Sequence, residues 1–223
     1  MGMTLKQTLR HPRLSNQGVT LIELMIAMTI FLLVLGAIYS TFQSQHKSYL
    51  MQEEVAAMQQ NMRTAMFYMT KEIRMLGCDP TGNAGAGIVT ANGDSISFTE
   101  DIRGDADGSD PDGATNDPNE SIAYALSSNN LVRNTGGGNQ VVAENIDALD
   151  FVYLDADGNQ TATLTDIRSV EITIVARTGR ALRVTKDNNL YYNQQGTQIL
   201  GAQNDNFSRK SMTTFIKCRN LGI

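Results

Sequence analysis

The sequence predicts an α+β chain in which one long N-terminal α-helix carries a head of antiparallel β-strands. Three observations lead there. Residues 19–39 are almost wholly apolar, with Thr20, Glu23 and Thr29 as the polar interruptions. Residues 40–76 contain neither proline nor glycine and repeat apolar side chains at three- and four-residue steps. After Gly77 the period shortens to alternation, with turn residues between short apolar runs.

The apolar run comes first, because about 20 such residues suffice for a membrane-spanning helix. Before it, MGMTLKQTLRHPRLSNQG (residues 1–18) holds Lys6, Arg10 and Arg13 and no acid. Under the positive-inside rule this end stays cytoplasmic and the rest faces outward. Of the chain's 18 basic residues, 15 then remain beyond Gly18 against 23 acids, a formal charge of −8. That balance does not suggest a nucleic-acid partner. A cleaved secretory signal is a poor fit. Its apolar core is shorter, it carries no glutamate, and Val34-Leu35-Gly36 is a weak cleavage site.

Glu23 raises a question of its own. A free carboxylate at bilayer depth costs several kcal/mol, so such a group either snorkels to water or has a partner and a purpose.

The next stretch reads as an amphipathic helix. Val55, Met58, Met62, Ala65, Met66, Met69, Ile73 and Leu76 form one stripe, while Arg63, Lys71, Glu72 and Arg74 fall off it. Gly77 and Pro80 supply the stop. A methionine-rich stripe of this kind packs on the protein's own head more commonly than it serves as a partner surface. From Val19 to Leu76 the helix would be about 87 Å long at 1.5 Å per residue, and Gly36 is its one local weak point.

Strands are expected at Ile88-Val89 and Ser95–Phe98 around Asn92-Gly93, a hairpin signal. Ser121 to Arg133 repeats the pattern about Ser127-Ser128-Asn129-Asn130. Further strands are expected at Ile146–Leu154, Val170–Ala176, Ala181–Val184 and Met212–Cys218, forming an antiparallel sheet laid on the helix. The organisation is therefore 1–18 leader, 19–39 membrane half of the helix, 40–77 spine half, and 78–223 head.

At Gly18-Val19-Thr20-Leu21-Ile22-Glu23, between a short basic leader and a long apolar helix, the chain resembles the type IV pilins and pseudopilins with their class III prepilin leader. The resemblance implies the type IV pilin fold and cleavage between Gly18 and Val19 by a prepilin peptidase, which methylates the new amino terminus of Val19. Most members have Phe there, so Val19 is a departure. In a filament core Glu23 of one subunit would meet the positive Val19 amine of its neighbour, and a buried charge is tolerable when paired.

Weaker motifs resemble the PilW group of minor pilins: Met69-Thr70-Lys71-Glu72-Ile73-Arg74-Met75-Leu76-Gly77, Ile146 to Tyr153 before an Asp-Gly turn, and a last strand ending in Arg219-Asn220. J-type pseudopilins of type II secretion share the N-terminal logic. The implied function is that of a minor pilin, a structural subunit that helps prime type IV pilus assembly in a tip complex. Its implied partners are the prepilin peptidase, other minor pilins, the major pilin and the inner-membrane assembly platform. Its implied location is the bacterial inner membrane and then the pilus. The alternatives are a pseudopilin of type II secretion and an uncut, membrane-anchored, calcium-dependent adhesive module.

In an outward-facing head, Cys78 and Cys218 are expected to oxidise to one disulfide. Calcium is the cofactor to weigh. Asp101, Asp105, Asp107, Asp110, Asp112 and Asp117 crowd a stretch opposed by Arg103 alone, and Asp155, Asp157 and Asn159, with Asp166, resemble part of an EF-hand loop. A solvated loop and a hairpin turn are the commoner readings. Metal binding by the two distant cysteines is not expected. No hydrolase elbow or phosphate-binding loop is present and His11 and His46 lack partners in the pattern, so no enzyme is predicted. Arg177, Arg180, Arg183 and Lys186 suit DNA phosphates in charge but read more simply as a solvated face.

Overall fold

The computed structural model describes residues 18–104 and 110–222. The leader up to Gln17 and the calcium candidates Asp105 and Asp107 lie outside the described residues. Among the described residues the regular elements are one long helix, α1 (Leu21–Ile73), a short 3-10 turn (Leu164–Asp166) and ten strands in three antiparallel sheets. The chain divides into two units between Lys47 and Ser48.

In the first unit the described residues are all exposed. α1 begins there and runs through Gly36 without a break.

The second unit begins with the spine part of α1. Met58, Met62, Ala65, Met66, Met69 and Ile73 are its buried residues, all on the expected stripe. The helix ends in a turn: Leu76 N–H donates to the Glu72 carbonyl, and Gly77 adopts φ +74°, the left-handed conformation that glycine takes without a steric penalty. A Cβ at Gly77 would also meet the Leu221 side chain at 2.9 Å.

A five-strand meander follows, from β1 (Ile88–Ala91) and β2 (Ser95–Thr99) through β3 (Ser121–Ser127) and β4 (Asn130–Asn134) to β5 (Asn139–Ala143). The first hairpin closes one residue later than the Asn-Gly signal indicates. Asn92 N–H donates to the Ser95 carbonyl, so Gly93-Asp94 are the turn residues. The second turns on Ser128 and Asn129, both at positive φ, as a two-residue hairpin requires. β5 was not predicted, because its five residues follow a glycine run and show no clear alternation.

The second sheet has the order β10-β7-β6, from β6 (Ile146–Leu154), β7 (Ser169–Arg177) and β10 (Arg209–Lys217). β7 lies at its centre, and eight of its nine residues are buried. β8 (Tyr191–Tyr192) and β9 (Gln198–Leu200) form a small third sheet. The single sheet expected from sequence is thus three. The strand expected at Ala181–Val184 is absent: Val184 is 98% exposed, and Arg183 spends its N–H on the Asn206 carbonyl outside any ladder.

The two larger sheets and the helix stripe share one hydrophobic core, in which Phe98, Tyr124, Phe151 and Ile172 meet the helix methionines. The first hairpin turn joins the sheets. Phe151 N–H donates to the Gly93 carbonyl, and the Tyr153 hydroxyl lies within hydrogen-bonding distance of the Asn92 and Ser95 carbonyls.

Candidate functional site: the start of the helix

The predicted processing and assembly residues sit where backbone physics makes special demands. The first turn of any helix leaves N–H groups without partners. Here Thr20 stands before the helix and Glu23 in its first turn, and they satisfy one another. Glu23 N–H donates to Thr20 Oγ1 at 3.3 Å, and Thr20 N–H donates to Glu23 Oε2 at 2.9 Å. The Thr20 hydroxyl donates to the same oxygen at 2.8 Å. This is a reciprocal capping box, and its signature Thr20-Leu21-Ile22-Glu23 was present in the sequence but overshadowed there by the charge of Glu23. Both Thr20 bonds fall on Oε2; Glu23 is exposed, and among the described residues its Oε1 takes no hydrogen bond.

Gly18, Val19 and Thr20 precede the helix and are exposed. The side chains that follow present one apolar sleeve: Leu21, Ile26, Phe31, Leu32 and Ile38 are each more than half exposed. Polar groups inside the sleeve are satisfied locally, the Thr29 hydroxyl donating to the Met25 carbonyl at 2.9 Å. By length and composition this is a helix able to cross a membrane.

The other predicted site residues behave differently. Cys78 and Cys218 are free thiols, the first partly buried and the second buried. Burial, with Glu100, Asp101 and Asp79 nearby, raises the Cys78 thiol, and burial alone pushes Cys218 up to about 11. Little thiolate is therefore available for exchange. The segments that carry the two cysteines are joined: Asn220 Nδ2 donates to the Met75 carbonyl at 3.1 Å, and Leu221 packs against Gly77.

The calcium candidates among the described residues are not gathered into a metal site. Among the described residues no group of three or more Asp, Glu, His or Cys side chains could hold a metal ion. Asp110 and Asp112 are exposed, and Asp112 accepts the Ala114 N–H. Asp155 closes its own turn, accepting the N–H groups of Asp157 and Asn159 on one oxygen. Those bonds, led by that of Asn159, hold its carboxyl below the usual range. The EF-hand likeness is a hairpin turn.

Three of the four cations considered for DNA are engaged in ion pairs. Arg177 pairs with Asp147 at 3.0 Å, Arg180 with Glu54 at 3.4 Å and Arg183 with Asp187 at 3.4 Å. Arg209, which sequence reasoning missed, is the hub beside them. It is almost wholly buried and bonds Asp147, Asp187 and Asp205, with Phe207 against its guanidinium and that of Arg177. Glu72, read as off the stripe, holds Arg133 through both carboxylate oxygens and accepts the Tyr124 hydroxyl at 2.5 Å. It pins the helix to the first sheet.

A capped apolar helix behind a basic leader, followed by a sheet-rich head, is the arrangement that the resemblance to the type IV pilins implies. Comparison with known families agrees: residues 13–39 match the prokaryotic N-terminal methylation motif. The chain also matches the structure of a type IV-like pilin from Thermus thermophilus at 14% identity and a TM-score of 0.47, covering 73% of this chain and 97% of that one. No curated protein sequence matches it.

Proposed function

We propose that this chain is a minor pilin, cut between Gly18 and Val19 by a prepilin peptidase, N-methylated on Val19, and built into a type IV pilus with other minor pilins and the major pilin. The observation that carries this reading is the geometry at Glu23: one oxygen closes the capping box and the other is open at the start of an exposed apolar helix. In a bundle of such helices the open oxygen meets the Val19 ammonium of a neighbour, so the carboxylate sets the register of assembly while the cap keeps it in place. Before assembly the apolar helix holds the subunit in the inner membrane, at the assembly platform, with its head outward. The exported head oxidises to a Cys78–Cys218 bond, a reading supported by Asn220, which joins the two cysteine-bearing segments.

The test is mass spectrometry of sheared filaments and of membranes. N-methyl-Val19 peptide in filaments is the expected result. The cleaved form confined to membranes would point to a short secretion pseudopilus, and an intact leader in both fractions would overturn the reading. Substitution sharpens it. Glu23→Gln keeps an oxygen for the cap and loses the charge, whereas Glu23→Ala loses both. Both variants should be cut and methylated, and both should be depleted in filaments by tenfold or more. Normal incorporation of Glu23→Gln would leave the glutamate only its capping role.

A further inference from the structure

In the second unit, the exposed flank of α1 and the side of β10 enclose a groove of about 610 Å³. Its floor is apolar: Met66, Phe67, Met75 and Met212 line it, and Phe67 is 65% exposed. Its rim is cationic, formed by Arg63, Lys71, Arg74 and Arg219. All four are exposed, and among the described residues none of the four has a carboxylate partner. Elsewhere in the head, Arg133, Arg177, Arg180, Arg183 and Arg209 are all paired. No acid lines the groove, so four cations stand together there without a carboxylate, in a chain whose acids outnumber its bases.

We propose that this groove is a docking site for an amphipathic helix with acidic flanks, supplied by a partner subunit. The charge complement of the rim is carboxylate, and the complement of the floor is a short apolar stripe. From Arg63 to Ile73 the groove follows α1 for about 15 Å, the length of about three turns of a docked helix, and Arg74 and Met75 continue it in the turn beyond. Helix-in-groove recognition of this kind takes its affinity from a few apolar anchors and its orientation and selectivity from the flanking charges. A nucleic acid would use the rim but leave the methionine and phenylalanine floor without an apolar partner.

The identification of the partner as another subunit rests on the minor-pilin reading; the groove's chemistry does not. The test uses the full chain in detergent micelles and three synthetic peptides. Two share one apolar helix face and carry glutamate or lysine at the polar positions, and the third is the glutamate peptide with its apolar positions scrambled. The ordered glutamate peptide should bind, and the other two should bind at least tenfold more weakly. Lys71→Glu combined with Arg74→Glu, and separately Phe67→Ser, should each weaken that binding tenfold or more at an unchanged melting temperature. Equal binding of the scrambled glutamate peptide, or no binding at all, would overturn the proposal. So would displacement of the peptide by phosphatidylglycerol vesicles that lose affinity with the same variants, since the groove would then be a lipid site. Because none of these readouts depends on leader cleavage, a failed groove and a failed pilin reading are told apart by the N-methyl-Val19 measurement.

Discussion

Two stretches of one helix differ in everything except their backbone. From Leu21 to Lys47 the side chains of α1 are exposed all round, while from Met58 to Ile73 a single stripe is buried in a core. As far as Tyr39 the first stretch is apolar on every side, a composition that suits a bilayer or neighbouring helices. The second is amphipathic because one side meets strands of its own chain and the other meets water. Propensity accounts for neither difference, since both stretches are good helix formers. What changes along the helix is the solvent for which each face is written.

Several substitutions would break or sharpen that contrast. The largest effect is expected at Arg209→Ala, which removes the buried cation shared by Asp147, Asp187 and Asp205 and leaves Asp147 to Arg177 and Asp187 to Arg183. Losing one partner of a buried network costs about 3–5 kcal/mol, and denaturant unfolding of the full chain would register it. Met69→Ala comes next, removing a fully buried side chain from the stripe at a cost of about 2–5 kcal/mol. Leu32→Ala, in the exposed stretch, should leave unfolding of the head unchanged; an equal loss at both sites would erase the distinction between the two stretches.

A smaller effect, dependent on pH, belongs to Glu100. Its side chain is 5% exposed and its Oε2 has no hydrogen-bond partner. Burial first, then the nearby Glu72 and Glu120, raise its carboxyl to about 7 from an ordinary 4.5, with Arg133 opposing. Between those values the folded state binds more protons than the unfolded state, so stability falls as pH rises from about 4.5 to about 7. The loss is at most about 3 kcal/mol at 1.36 kcal/mol per pH unit. Glu100→Gln should flatten that decline, and melting curves at pH 5 and pH 7.5 would show it; a parallel decline in both proteins would assign the pH dependence to other groups.

Much of this arrangement was legible in the residues. The apolar run, the spine stripe and the strands at Ile146–Leu154 and Val170–Ala176 are written in periods of a few residues, and each appears within a residue or so of its expected place. The candidate site was half legible. Glu23 stood out as a charge, but its bond to Thr20 needed the capping signature to be read as geometry. Less was legible between Thr178 and Ser208, where few apolar residues alternate and the chain is held by ions. Arg177 and Arg180 read as a solvated cluster because their acids, Asp147 and Glu54, come from other parts of the chain, whereas the partner of Arg183, Asp187, lies four residues on.

The sequence by itself determined which stretch is made for an apolar surrounding, where the spine stripe lies and which segments alternate as strands, because those properties depend on neighbours within one or two turns. Only the tertiary structure decided that the strands separate into three sheets, that Glu72 meets Tyr124 and Arg133 across 52 and 61 residues of chain, and that Arg209 reaches Asp147 across 62. A charge in sequence is only a demand for a partner. Which partner answers it is set when distant segments fold together and exclude the water that would otherwise have served.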